Sequence, residues 1–388
     1  MAHGDFDKVA NKLFLESDAL NISWLIDDAF TDRLLADEPD AVERYARAVQ
    51  VRMQTGKGYF TFIDKMNRNK AQIFKDLHLE VMASNLCNEV NLPANEEYSF
   101  TCVILNANLA MYDEFPEHFY HILHIMQDCN VSSYISEIKK KTGLNALFLS
   151  KVLRFTEHFR AVGTGVCGFH SLLMQKRMVF GSMDSMILNE EIFSKMRRDL
   201  EECSSWLAEV LGEPEMMKGT GKRNATLMMM PPTKSSSELT KDTPSEGINP
   251  ETALIRVKET VGGDIFRINA ELLKVMKELG AHTEENVRFI AENKGSVQKC
   301  EWMPQYLKNV FRNAFEIPVE AHLDMCSQRQ LYIDQQQSIN VMFSGDDSPQ
   351  YISKIHKKAV LDPNCNGLYY CYSSRGGSYE RFGCENCE

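Results

Sequence analysis

The chain has 388 residues, 44% apolar and 25% charged, proportions ordinary for a globular protein with a sizeable core organised as one large or two smaller domains. A net charge of -11 argues against a broad nucleic-acid or membrane surface, which needs clustered Lys and Arg, and leaves room for a local phosphate site. The 11 cysteines are scattered through apolar runs apart from Cys384 and Cys387, a pattern suited to a reducing cytoplasm. No apolar stretch approaches the roughly 18 residues of a membrane span, and the opening Met1-Ala2-His3-Gly4-Asp5 lacks the basic and apolar run of a signal peptide.

Apolar positions at helical spacing in residues 21–51 (Trp24, Leu25, Phe30, Leu34, Leu35, Val42, Tyr45, Val49) predict two or three amphipathic helices. Gly56-Lys57-Gly58 ends them, residues 59–63 read as a short strand, and polar residues 64–69 as a loop. A strand rich in β-formers is expected over 98–109, carrying Cys102, followed by helices over 113–127 and 145–159. Gly163-Thr164-Gly165-Val166-Cys167-Gly168 breaks the helical period. It lacks the strand, spacing and acidic residue of a dinucleotide fold and reads by itself as a close packing turn. A long helix spans 190–211, ended by Gly212 and Pro214.

Residues 221–230 run from a polar turn into a buried strand, which stops at Pro231-Pro232-Thr233-Lys234-Ser235-Ser236. A strand leading into a hydroxyl-rich turn and a helix start presents N–H groups and hydroxyls to an anion, or is simply a capped loop. A loop continues over 241–250, with helices over 269–279, 283–293, 321–337 and 348–360. Residues 366–372 read as a strand, and 373–388, with three glycines and few aliphatics, as a mobile tail. Short buried strands alternating with helices indicate an α/β protein with parallel strands.

One stretch carries the chemistry. In Ser84-Asn85-Leu86-Cys87-Asn88-Glu89-Val90, a carboxamide, a thiol and a carboxylate occupy alternate positions, which on extended or looped backbone can face one cavity. Taken alone, such a triplet is equally a core cysteine with polar neighbours. The motif resembles the finger loop of the class I ribonucleotide reductase large subunit, and further motifs of that family follow in order. They are Cys102 followed by Asn108-Leu109, residues 163–168, residues 221–236, the pair Tyr369-Tyr370, and Cys384-x-x-Cys387.

The resemblance implies the second half of a ten-stranded α/β barrel with its finger loop, flanking helices and a flexible C-terminal tail. It divides the chain into 1–82 (a helical segment and the last part of the first half-barrel), 83–372 (finger loop and second half-barrel) and 373–388 (redox-active tail). It implies reduction of ribonucleoside diphosphates to deoxyribonucleotides for DNA synthesis. Cys87 would become a transient thiyl radical that takes the ribose 3′-hydrogen, a suitable task because its S–H bond is close in strength to the ribose C–H bond. Glu89 would be the general base for the 3′-hydroxyl, and Asn85 would hold the diol. Cys102 would be one of two thiols oxidised to a disulfide; its family partner lies far N-terminal, and no cysteine occurs in residues 1–83. Residues Pro231, Pro232, Thr233, Lys234, Ser235 and Ser236 would bind the diphosphate. Tyr369 and Tyr370 would relay the radical, although neighbours on a regular strand face opposite sides, so stacking requires a local distortion. Cys384 and Cys387 would re-reduce the disulfide by thiol exchange; a lone C-x-x-C could also be half a zinc site. With 13 residues between Tyr370 and Cys384, that swing into the barrel is short.

No cofactor or metal is expected on this chain. The expected partners are an N-terminal large-subunit fragment, a small subunit holding a diiron-tyrosyl cofactor, and thioredoxin or glutaredoxin, in the cytoplasm, or in the host cytoplasm if the gene belongs to a phage. Neither nucleic acid nor membrane is an expected partner. The chain therefore reads as a separately encoded C-terminal half, active only in a complex. The alternatives are a non-catalytic reductase remnant with an interaction or regulatory role, and a glycyl-radical or cobalamin-dependent relative, against which the tyrosine pair counts.

Overall fold

In the computed structural model, which describes residues 22–240, 242, 244–260 and 263–374, short buried strands alternate with helices. β1 (Ser23–Ile26) lies parallel to β2 (Tyr59–Phe62), from Ser23 opposite Tyr59 to Ile26 opposite Phe62. Parallel neighbours need a crossover, supplied by α1 (Asp28–Leu35) and α2 (Pro39–Thr55). The Asp27 side chain caps α1 by accepting from the Phe30 N–H, and α2 opens on a proline and closes on Gly56 at a φ of 72°. Trp24 and Leu25, expected in a helix, belong to β1. Four residues are too few to reveal strand alternation, and pairing with β2 decides the conformation. β2 is buried throughout, and Phe60 and Phe62 each contribute roughly 1.5–3 kcal/mol of apolar burial.

Residues 64–69 are helical rather than a loop, forming α3 (Ile63–Asn69), followed by α4 (Gln72–Asp76). The polar residues of α3 find their partners in the tertiary structure. Lys65 Nζ donates to the carbonyls of Ala359 (2.9 Å) and Asp362 (2.6 Å) at the end of a distant helix, where a cation is favoured.

β3 (Ile104–Asn108) is shorter than the strand expected over 98–109, and Cys102 precedes it in a loop. A 3-10 turn (Leu109–Glu114) comes next, so the helix expected from 113 begins at Phe119 as α5 (Phe119–Lys139), followed by α6 (Gly143–Phe159). The glycine run over 163–168 is a strand, not a turn: β4 (Gly163–Cys167) pairs parallel with β3 and is buried throughout. A Cβ on Gly165 would lie 2.5 Å from Asn106 Oδ1 and 2.7 Å from the Met229 carbonyl, so the glycine lets adjacent backbones close in. After α7 (Phe169–Gln175) and α8 (Met183–Leu211), residues 226–230 run extended and buried, bridging Thr164 to Met228 in parallel.

The hydroxyl-rich turn starts α9 (Lys234–Leu239). An unanticipated antiparallel hairpin, β5 (Ile255–Thr260) and β6 (Gly263–Ile268), precedes α10 (Ala270–Glu278), α11 (Glu284–Glu292), α12 (Gln305–Val310) and α13 (Val319–Gln330). The helix expected to reach 337 therefore stops at Gln330. Residues 335–338 instead extend beside 228–230: Gln335 N–H donates to Met228 (3.2 Å), Met230 N–H to Gln336 (3.0 Å) and Ser338 N–H to Met230 (2.9 Å).

β7 (Val341–Phe343) and α14 (Pro349–Leu361) lead to the last strands. The single strand expected over 366–372 is split. β8 (Gly367–Leu368) pairs antiparallel with β2, and β9 (Cys371–Ser373) pairs parallel with β7, so Ser373 is strand rather than tail. One large cluster, including Phe60, Val166, Phe169, Phe193, Met228, Val341 and Phe343, fills the space between strands and helices. The α/β architecture with mostly parallel pairing is as expected. Among the described residues, β3 pairs with a strand along one side only, and no helix is long and apolar enough to cross a membrane. Cys384 and Cys387 lie outside the described residues.

Candidate active site

Residues 84–90 form a turn, not an extended row. The Asn88 N–H donates to the Asn85 carbonyl at 3.1 Å, and Asn88 adopts a φ of 61°, left-handed backbone that Asn tolerates better than most residues. The loop is tied on two sides. Toward β2, Asn88 Nδ2 donates to the Phe60 carbonyl (3.3 Å) and its Oδ1 accepts from Thr61 Oγ1 (2.9 Å). Toward the 335–338 segment, Gln336 Nε2 donates to the Asn88 carbonyl (2.7 Å) and to Ser84 Oγ (3.0 Å), and the Gln336 N–H donates to the Glu89 carbonyl (3.0 Å). Ser338 Oγ donates to the Cys87 carbonyl at 2.6 Å. The loop backbone is thereby fixed before any ligand arrives.

This turn gathers the expected side chains. Asn85 Nδ2 donates to Glu89 Oε1 (2.8 Å) and lies 3.5 Å from the Cys102 sulfur, while its Oδ1 accepts from the N–H groups of Glu89 (3.1 Å) and Val90 (3.2 Å). Glu89 is only 1% exposed. Burial pushes its carboxyl up to about 7, against the hydrogen bonds from Asn85 and Ser338 that favour the charged form. Burial, then the Glu89 charge, push the Cys87 thiol up to about 12, opposed by the neighbouring Tyr369 hydroxyl. Cys102 is solvent-accessible, yet the packing around its sulfur and the Glu89 charge raise it to about 11. Both sulfurs are therefore protonated thiols at neutral pH, beside a carboxyl that titrates there.

The distortion that stacking demands is present at the tyrosine pair. Because β8 ends at Leu368 and β9 starts at Cys371, Tyr369 and Tyr370 fall between two pairings and their rings meet, with centroids 4.3 Å apart at 58°. Cys87 packs against this cluster. A third ring joins it: Tyr59 on β2 lies 4.6 Å from Tyr369 and meets Tyr370 edge-on at 5.2 Å. Burial, first of all, holds the phenols of Tyr59 and Tyr369 well above their ordinary range, so both stay neutral.

A cavity of about 150 Å³ joins the pair to the hydroxyl-rich turn, lined by Pro232, Thr233, Lys234, Ser235, Ser236, Tyr369 and Tyr370 among others. Pro231 is buried at the start of that turn. The Thr233 hydroxyl is already engaged, accepting from the Gly247 N–H (2.8 Å) and paired with Ser237 Oγ (2.8 Å). Lys234, Ser235 and Ser236 are exposed. Thr233 thus braces the turn, and the next three residues face outward.

Sequence reasoning missed Asn88, Gln336, Ser338 and Tyr59. Gln335-Gln336-Gln337-Ser338 carried the signal: four consecutive polar residues, all buried, are uncommon unless they serve a network. The helix expected over 321–337 takes in the three glutamines, and the structure ends it at Gln330.

Comparison with known proteins agrees with this geometry. A family model described as "Ribonucleotide reductase, barrel domain" matches residues 33–220 and 214–371. The putative ribonucleoside-diphosphate reductase large subunit of Frog virus 3 (isolate Goorha) is 31% identical over 343 residues, covering 88% of this chain and 60% of the relative. The ribonucleoside-diphosphate reductase large subunit of Invertebrate iridescent virus 3 is 30% identical over 357 residues, covering 91% of this chain and 55% of the relative. This chain thus spans little more than half the length of these relatives. The solved Actinobacillus ureae class Id ribonucleotide reductase alpha subunit superposes with a TM-score of 0.86 at 31% identity, covering 97% of this chain and 69% of that one. A finger-loop thiol, a buried carboxyl and a stacked tyrosine pair on an α/β frame matched over nearly its whole length therefore make this chain a member of the ribonucleotide reductase large-subunit family, carrying its barrel domain.

Proposed function

We propose that this chain carries the nucleotide-reducing site of a ribonucleoside-diphosphate reductase and acts by thiyl-radical chemistry in deoxyribonucleotide synthesis. The observation that carries the reading is the setting of Cys87, packed against the stacked Tyr369–Tyr370 pair and two residues from the buried Glu89 carboxyl that Asn85 holds, with burial keeping the thiol protonated. Nucleophilic catalysis needs a thiolate. A protonated thiol beside a phenol is suited instead to giving up a hydrogen atom.

In this reading the Cys87 thiyl takes the 3′-hydrogen of the ribose, Glu89 takes the 3′-hydroxyl proton, and the Asn85 amide orients the diol while holding Glu89. A base titrating near 7 is half-ionised at working pH, which favours proton transfer in both directions. As the 2′-hydroxyl leaves as water, Cys102 and a second thiol supply two electrons and become a disulfide. Cys384 and Cys387 reduce it by exchange, and thioredoxin or glutaredoxin restores the tail. The diphosphate lies against the turn at 231–236, where Lys234 supplies charge and Ser235 and Ser236 supply hydroxyls. The diiron-tyrosyl group expected on a small subunit supplies one oxidising equivalent when that subunit is bound. The one-sided pairing of β3 among the described residues supports a further polypeptide, on a longer protein or a separate one, that completes the barrel and brings the second thiol. The complex works in the cytoplasm, where thiols stay reduced.

The test is recovery of the tagged chain with its partners from the source cell, followed by assay of CDP reduction. The complex should form dCDP, and the same complex with Cys87→Ser should form none. A complex that never reduces CDP would sink the reading in favour of a non-catalytic remnant.

A further inference from the structure

A parallel ladder joins the buried residues 226–230 to the segment that supports the finger loop. The Met230 N–H donates to the Gln336 carbonyl (3.0 Å) and the Ser338 N–H to the Met230 carbonyl (2.9 Å), the two bonds of one parallel rung at Gln337. The next rung falls to Pro232. It calls for an N–H to meet the Ser338 carbonyl, which proline lacks, and a carbonyl to meet the Asn340 N–H, just where the chain leaves for the hydroxyl-rich turn.

Asn249 supplies both groups from elsewhere in the chain. Its Nδ2 donates to the Ser338 carbonyl (3.2 Å) and its Oδ1 accepts from the Asn340 N–H (3.0 Å), so one carboxamide stands in for the missing peptide. These bonds fix which end of the amide is oxygen. Oδ1 also lies 3.2 Å from Nε2 of His322 on α13, so that ring nitrogen carries the proton and donates. Burial, followed by nearby Arg329 and His170, pushes the His322 ring down to about 3, so it is neutral. Asn249 is buried, and its own N–H donates to the Glu246 carbonyl (3.0 Å), which seats it in a tight turn.

The residues held by this surrogate rung face the site. Ser338 Oγ donates to the Cys87 carbonyl (2.6 Å) and lies 3.4 Å from Glu89 Oε2, and Asn340 Oδ1 accepts from the Tyr370 N–H (3.2 Å). We propose that Asn249 is a positioning residue of the reducing site, its carboxamide forming the rung that Pro232 cannot and so holding Ser338 on the finger loop while the chain departs into the hydroxyl-rich turn. The inference rests on the reading of the site given above and adds to it a residue that acts through Ser338. The groups acting on the Glu89 carboxyl are the Asn85 amide, the Ser338 hydroxyl and the thiols of Cys87 and Cys102. Loosening the Ser338 bond, which favours the charged form, raises that carboxyl further.

The test uses the full chain in its complex. Asn249→Ala should lower CDP turnover about tenfold or more with KM for CDP little changed, and move the acidic limb of the pH–rate profile to higher pH, as Ser338→Ala does. Combined with Ser338→Ala it should move the limb no further, because both act through one hydroxyl. Asn249→Asp keeps the shape and the acceptor for Asn340 but loses the donor to Ser338. It should move the limb the same way, and it carries the test if the alanine variant does not assemble. In the unsubstituted complex the Asn340 amide should exchange slowly with deuterium, read by mass spectrometry with fragmentation. An unmoved limb, additive shifts or fast exchange at Asn340 overturns the proposal, and the reading of the site stands as long as the unsubstituted complex forms dCDP. A complex that forms none overturns that reading and the proposal with it.

Discussion

At the scale of single residues, burial decides the protonation of Glu89, Cys87 and Cys102. Glu89 has its carboxyl raised from 4.5 to about 7. Between those values the folded chain holds a proton that the unfolded chain has released, so stability falls as pH rises through this window and the penalty persists above it. Glu89→Gln keeps an oxygen for Asn85 and removes the buried charge. It should raise stability by ~1–3 kcal/mol at about pH 8 and by almost nothing at about pH 4, seen in thermal melts, while CDP reduction disappears. Ser338 works on the same group, its hydroxyl 3.4 Å from Glu89 Oε2 and favouring the charged form. Ser338→Ala should therefore push the Glu89 carboxyl further up and move the acidic limb of the pH–rate profile to higher pH. An unmoved limb would show that another group governs it.

At the scale of elements, buried polar networks fix where helices meet strands. Asp128 on α5 receives Arg160 Nε (2.8 Å) from the end of α6, Arg223 Nε (3.1 Å) from the segment after α8, and Asn224 Nδ2 (3.1 Å). Asp128 and Arg160 are buried. Removing the carboxylate leaves two cations facing each other, so Asp128→Ala should cost ~3–5 kcal/mol in denaturant unfolding. Asp128→Asn should cost less, because it keeps an acceptor. Between β8 and the finger loop the constraint is space. A Cβ on Gly367 would sit 2.5 Å from Asn88 Nδ2 and 2.7 Å from the Phe60 carbonyl. Gly367→Ala must push the loop off β2, at ~1–3 kcal/mol. Turnover should fall further than that loss of stability implies, since Cys87 rides on the displaced loop. Unfolding and CDP assays on the same complex separate the two effects.

At the scale of the whole molecule, the strand pairings leave one side of β3 without a strand among the described residues. Open edges seek strands. The chain by itself should self-associate, and a polypeptide bearing the missing strands should replace those contacts with a defined complex. Size-exclusion chromatography with light scattering distinguishes the cases; a stable, well-behaved monomer with no affinity for such a partner would contradict the expectation.

The local pattern determined the α/β class, most helices and the candidate site residues, because amphipathic periodicity and the 84–90, 231–236 and 369–370 motifs are contiguous in the chain. Asn85, Cys87, Glu89 and Cys102 were legible as types, and the structure brings them together. Tertiary structure alone decided what is non-local. Trp24 and Leu25 became strand because β2 offers an edge, residues 64–69 became helix because Lys65 reaches carbonyls nearly 300 residues away, and the buried Gln336 and Ser338 hold a loop some 250 residues earlier. The rise of the Glu89 and Cys87 pKa values belongs there too, since desolvation comes from atoms that other elements supply. Short-range spacing records which face a residue presents; only packing records what that face meets.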